Sequence, residues 1–108
     1  VVRFDDQWRP LDRWTLPPDV LARMAPGSAS GGAFGPDGRL YVTGHDRPEL
    51  YVLEAPKGGG VLRLVTTIEI QVEGQAIAFD RSAPGVLLGI SRGKREVVAM
   101  KLPPLEDK

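Results

Sequence analysis

The chain has 108 residues, with 14 Lys plus Arg against 14 Asp plus Glu. That balance leaves no basic footprint for nucleic acid or an anionic membrane. It has no Cys, which excludes a disulfide framework and thiolate chemistry and leaves the compartment open.

Gly and Pro are abundant, 13 and 10, as in a turn-rich β protein. The length suits one domain at most with a modest core. No apolar run approaches the roughly 18 residues of a membrane span. No signal-peptide pattern stands at the front, and the first residue is Val1 rather than Met. This fits a processed protein, periplasmic or secreted, or a piece of a longer chain.

Residues 1–7 carry no period and read as an arm. Residues 8–16 read as a strand with Asp12, Trp14 and Leu16 on one face, and Pro10, which cannot donate to a ladder, makes it an edge strand. Pro17 and Pro18 end it, and residues 19–24 suit one helical turn. Residues 26–32 are a small-residue loop.

Ala33 and Phe34 form a short strand before the turn Gly35-Pro36-Asp37-Gly38. Pro presets φ there and Gly accepts a positive φ. Residues 40–43 are an apolar run between turns, hence a buried strand. A loop at 44–48 leads to a strand at 49–53, stopped by Pro56, and 57–60 is a flexible turn. Residues 61–70 alternate: Leu62, Leu64, Thr66, Ile68 and Ile70 share one face of a half-buried strand. After a loop at 71–75, three more strands follow at 76–79, 86–90 and 96–102. Pro103 and Pro104 end the last, and 105–108 is a charged tail.

The stretch 31–56 returns, altered, at 74–103. Gly38 matches Gly85, Leu40 matches Leu87, Glu49 matches Glu96, Leu53 matches Met100 and Pro56 matches Pro103, each pair 47 residues apart. Phe34 and Phe79 are 45 apart. A period of roughly 40–50 residues with several short strands per unit is the signature of propeller blades. The strands at 8–16 and 61–70 are both candidates for an outermost blade strand.

Gly31-x-Ala33-Phe34-Gly35-Pro36-Asp37-Gly38-Arg39-Leu40-Tyr41-Val42-Thr43-Gly44, followed by Glu49-x-Tyr51-Val52-Leu53, resembles blades of the broad lactonase, strictosidine-synthase-like and quinoprotein-like propeller class. The resemblance covers about residues 31–103. It implies an all-β fold of two propeller-like blades of antiparallel strands, residues 8–56 and 61–103. Since a propeller has 4–8 blades, it also implies a fragment of a six- or seven-bladed β-propeller or a chain that assembles into one. Three copies would close six blades, an arrangement resembling small trimeric lectins. Closure of the strands alone as a small sandwich is the other outcome.

In such blades the second-to-third-strand loop and the loop into the first strand share the face at the channel mouth. The topology puts His45, Asp46 and Arg47 there from one loop, Arg92, Lys94 and Arg95 from the equivalent loop, and Glu73 and Gln75 from the connection. His45, the only His, suits acid–base or metal chemistry beside Asp46; the plainer reading is a loop histidine with Asp46 capping a turn. Glu73 suits a cation or a substrate hydroxyl, against a plain loop carboxylate. Arg92, Lys94 and Arg95 suit an anion, against a solvated hairpin tip. Trp8 and Trp14 suit stacking on a sugar, against edge packing.

Other chemistries lack their motifs. Gly27-Ser28-Ala29-Ser30-Gly31 has its serines at the wrong offset for a nucleophile elbow. Gly32, Gly35 and Gly38 do not have dinucleotide or phosphate-loop spacing. One His and no Cys disfavour zinc, and no Asp-rich calcium signature occurs. With no self-contained catalytic set, no catalytic or metal-binding residue is assigned, and no cofactor can be named.

The expected function is a non-enzymatic ligand-binding or protein-interaction module built from β-propeller blades. The alternative is a portion of a secreted lactonase- or esterase-like propeller hydrolase whose remaining catalytic residues lie elsewhere. The expected partners are further copies or neighbouring blades, with a small molecule or protein as ligand.

Overall fold

The structure, a computed structural model, describes residues 1–105; most of the tail read at 105–108 lies outside them. In chain order the elements are β1 (Val2–Phe4), β2 (Pro10–Thr15), α1 (Pro18–Met24), β3 (Gly31–Phe34), β4 (Leu40–Thr43), β5 (Glu49–Glu54), β6 (Gly60–Val61), β7 (Arg63–Glu69), β8 (Ile77–Phe79), β9 (Val86–Ser91) and β10 (Glu96–Lys101). The fold is all-β apart from the one short helix.

β3, β4, β5 and β7 form one antiparallel sheet in that order, and β8, β9 and β10 form a second. The expected turn joins β3 to β4. Gly38 sits at φ 81, and the Asp37 carboxylate accepts from the Arg39 amide at 3.1 Å. Gly85 has nearly the same φ, 80, before β9. The two sheets pair some of their strands in like fashion. Leu40 faces Phe34 on one side and Leu53 on the other; Leu87 faces Phe79 and Met100.

The first sheet is buried on both faces. On one side Leu40, Val42, Tyr51, Leu53 and Leu62 pack with Val20 and Met24 of α1 and with Trp14 and Leu16. Val20 and Met24 lie four residues apart, so they share one helix face, and Pro18 occupies a first-turn position where its missing N–H costs nothing. Arg23 fixes α1 to β5 through two bonds to the Glu49 carboxylate, at 2.9 and 2.5 Å. On the other side Tyr41, Leu50 and Val52 pack with Leu87 and Met100 of the second sheet and with Val72.

Three expectations change. The 8–16 strand begins at Pro10, because Trp8 lies in a turn at φ 61. β2 is not an edge: it runs between β1, antiparallel, and β6, parallel. Pro10 is tolerated because β6 pairs only with Trp14 and Thr15, leaving the Pro10 end with one neighbour. Of the two candidate outer strands, β7 takes the place beside β5, whereas β2 belongs to the separate three-stranded sheet.

The single apolar face read over 61–70 is also divided. The register shifts between Val52 and Leu53, so Val52 faces Thr66 while Leu53 faces Leu64. Val65 is the extra residue of a bulge, and the side-chain alternation inverts across it. Leu62 and Leu64 therefore join the α1 side of the core, whereas Val65, Ile68 and Ile70 join the other.

Two predictions follow from these cores and turns. Burial and the Asp37 carboxylate push the Tyr41 phenol up to about 12; burial and Glu49 do the same to Tyr51. Below pH 10 both phenols stay protonated, folded or unfolded, and this contribution to stability is fully present. Between about 10 and 12 the unfolded chain loses these protons first, so stability falls as pH rises. Phenolate absorbance should therefore appear near pH 12 in the folded chain and near 10 in urea; half the native signal rising near 10 would place one phenol in water. Separately, Gly38→Val and Gly85→Val should each lower unfolding free energy by more than about 1 kcal/mol, with Asn substitutions milder. No loss at either site would mean the turns do not need positive φ.

Candidate functional site

Loops 44–48 and 92–95 and the connection 70–76 meet at one end of the two sheets, where the sequence reading placed a site. Two close approaches bring them there. A side chain at Gly74, which has φ +111, would lie 2.2 Å from the Gly44 carbonyl oxygen; one at Gly31 would lie 2.1 Å from the Gln75 carbonyl oxygen. Only glycine permits this spacing. Thr43, fully buried, adds a hydroxyl that donates to the same Gln75 carbonyl at 2.9 Å.

The chemistry-bearing side chains form one connected set. His45 Nδ1 lies 2.7 Å from Asp46 Oδ1. Arg92 places Nη1 3.3 Å from His45 Nε2, and its Nη2 donates to the His45 carbonyl at 2.9 Å. A guanidinium can only donate, so Nε2 is the acceptor and Nδ1 carries the proton that Asp46 receives. Glu73 holds the second hairpin from below: its carboxylate accepts from the Arg92 amide at 3.3 Å and from the Ser91 hydroxyl at 3.5 Å. Ser91 in turn accepts from the Lys94 amide at 3.4 Å.

Four of the eight residues expected at this end, His45, Asp46, Glu73 and Arg92, are thus brought together. Gln75 is present through its backbone carbonyl, and its side chain has no hydrogen-bond partner among the described residues. Arg47, Lys94 and Arg95 direct no side-chain hydrogen bond into the set. Arg95 instead occupies the left-handed region at φ 55 to close the hairpin. Sequence reading missed Thr43 and Ser91, both buried polar residues. The available signal was a hydroxyl at the end of an otherwise apolar run.

The two tryptophans do not act as a pair. Trp14 packs on the core and donates its indole N–H to the Pro56 carbonyl at 2.7 Å. Trp8 is 78% exposed and lies against Phe4, ring centroids 5.9 Å apart.

Both ring nitrogens of His45 are engaged, one by a carboxylate and one by a guanidinium. In this arrangement the imidazole orients its neighbours and has no lone pair open to a substrate proton. Among the described residues no group of three or more His, Asp or Glu stands close enough to hold a metal ion, and no helix is long and apolar enough to cross a membrane. Comparison with family models, with curated proteins and with solved structures found no match to this chain.

The glycine crossing gives a direct check. Gly74→Ala should destabilise the chain by about 3 kcal/mol, combining positive-φ strain with a backbone clash, as read from urea unfolding. A loss below about 1 kcal/mol would show that the 70–76 connection can withdraw from loop 44–48 at little cost.

Proposed function

We propose that the chain is a non-enzymatic interaction module formed by two adjacent β-propeller blades, with further blades as its neighbours and the His45–Arg92 end as a binding surface. One observation carries this reading: the two sheets stack head to tail and leave one sheet face uncovered. Tyr41, Leu50 and Val52 of the first sheet are at most 5% exposed because the second sheet covers them. The positions 47 residues later, Leu88, Val97 and Ala99, hold the corresponding face of the second sheet. There Val97 is 72% and Ile90 40% exposed. An apolar sheet face of this kind is the surface on which a next blade packs.

A second reading, a portion of a propeller hydrolase, draws support from the Asp46–His45 contact. A carboxylate on Nδ1 is how a histidine base is oriented. It requires Arg92 to move off Nε2 when substrate binds.

Light scattering of the 108-residue chain tests the first reading. Self-association is expected, with a trimer as the species that closes six blades, and Val97→Asp should yield a monomer with unchanged circular dichroism. A stable monomeric wild type that binds no hydrophobic dye would overturn it. A panel of lactones and aryl esters tests the second: turnover that His45→Ala abolishes without altering the melting temperature would replace the binding module with an enzyme.

A further inference from the structure

A groove of about 630 Å³ lies between the β1–β2 hairpin and the first sheet, away from the His45 cluster. Its size falls in the range of small-molecule sites. Leu40 and Leu62, nearly fully buried, form the floor; Val2, Trp14, Phe34 and Pro56 form the walls. Phe34 is 65% exposed, a large apolar side chain left open to solvent at the end of an otherwise well-packed sheet. The Trp14 indole N–H is already satisfied by Pro56, so the ring offers the groove only its apolar face.

The polar groups are confined to the rim. Arg3 directs Nε and Nη2 onto one oxygen of Asp12, at 2.8 and 2.5 Å, and the two charges cancel. Lys57 also lines the groove and has no ion-pair partner among the described residues. The groove is therefore apolar along its length, with Lys57 and the Val1 amino group, which donates to the Trp14 carbonyl at 3.0 Å, as positive charges at its edge.

We propose that this groove binds a small amphipathic carboxylate, an apolar chain or ring system with a single anionic head. The apolar body covers Phe34 and the open part of the Trp14 ring, above the already buried Leu40 and Leu62, and burial of that apolar area drives binding. The head meets Lys57, which selects anion over neutral or cationic analogues more by discrimination than by raw affinity. The site shares no residue with the His45 cluster, so it stands or falls independently of the functional reading above.

Trp14 makes the test direct. Replacing the other tryptophan, Trp8→Phe, leaves Trp14 as the only indole of the full chain. Decanoate, decanol and decyltrimethylammonium are titrated while its emission is followed. Decanoate should give a saturable blue shift with a Kd below about 1 mM and bind at least about fivefold tighter than either analogue. Lys57→Glu should abolish or reverse that preference. Phe34→Ser, at a mostly exposed position, should weaken all three by about tenfold. Calorimetry on the unsubstituted chain gives the same ranking without relying on Trp8→Phe. Absence of saturable binding, equal affinity for the three amphiphiles, or indifference to Lys57→Glu would overturn the proposal. So would a Trp14 shift that follows protein concentration without ligand, which would assign the groove to a second copy.

Discussion

Everything in this molecule is referred to β5. Leu50, Tyr51, Val52 and Leu53 are each at most 1% exposed, and alternation sends them to opposite faces. A strand apolar on both faces cannot be half of an open two-layer structure; it must be covered twice. One cover is the second sheet, and the other is α1 with Trp14 and Leu16. Each buried side chain of this size contributes about 1.5–3 kcal/mol, so four successive ones outweigh any surface ion pair in the chain. The Arg23–Glu49 pair is better understood as setting where α1 sits than as supplying the stability of its docking.

The two covers differ in kind. The second sheet repeats the register of the first, whereas α1 and the β1–β2–β6 sheet do not. The packing of the two sheets also accounts for the His45–Arg92 contact. His45 follows β4 and Arg92 follows β9, and the packing of the two sheets brings these loops side by side. The contact is a consequence of the stacking geometry before it is a piece of chemistry.

The sequence was most readable where local chemistry decides the backbone. The Pro36-Asp37-Gly38 turn and the apolar runs of β4 and β5 depend on residues within a few positions of one another. It was least readable where a distant strand decides. The bulge at Val65 inverts the faces of β7, and its cause is the pairing with Val52 and Leu53, which no local alternation encodes. The parallel bridge from β2 to β6 is of the same kind, whereas the position of Trp8 is fixed locally, by a turn in which Asp5 accepts the Gln7 and Arg9 amides.

The candidate site was legible as a location and illegible as chemistry. Topology placed His45, Asp46, Glu73 and Arg92 at one end, but their roles follow from distances that only the folded chain provides. A lone histidine beside an aspartate invites an acid–base reading. The guanidinium on its second nitrogen withdraws that reading for this arrangement, because a ring that donates to Asp46 and accepts from Arg92 has no further valence to offer. An anion that drew the guanidinium away would expose Nε2 and pull on the His45 carbonyl at the same time. Loop 44–48 would then feel ligand binding through its backbone as well as its side chains, and through Gly44 against Gly74 so would the connection between the two sheets.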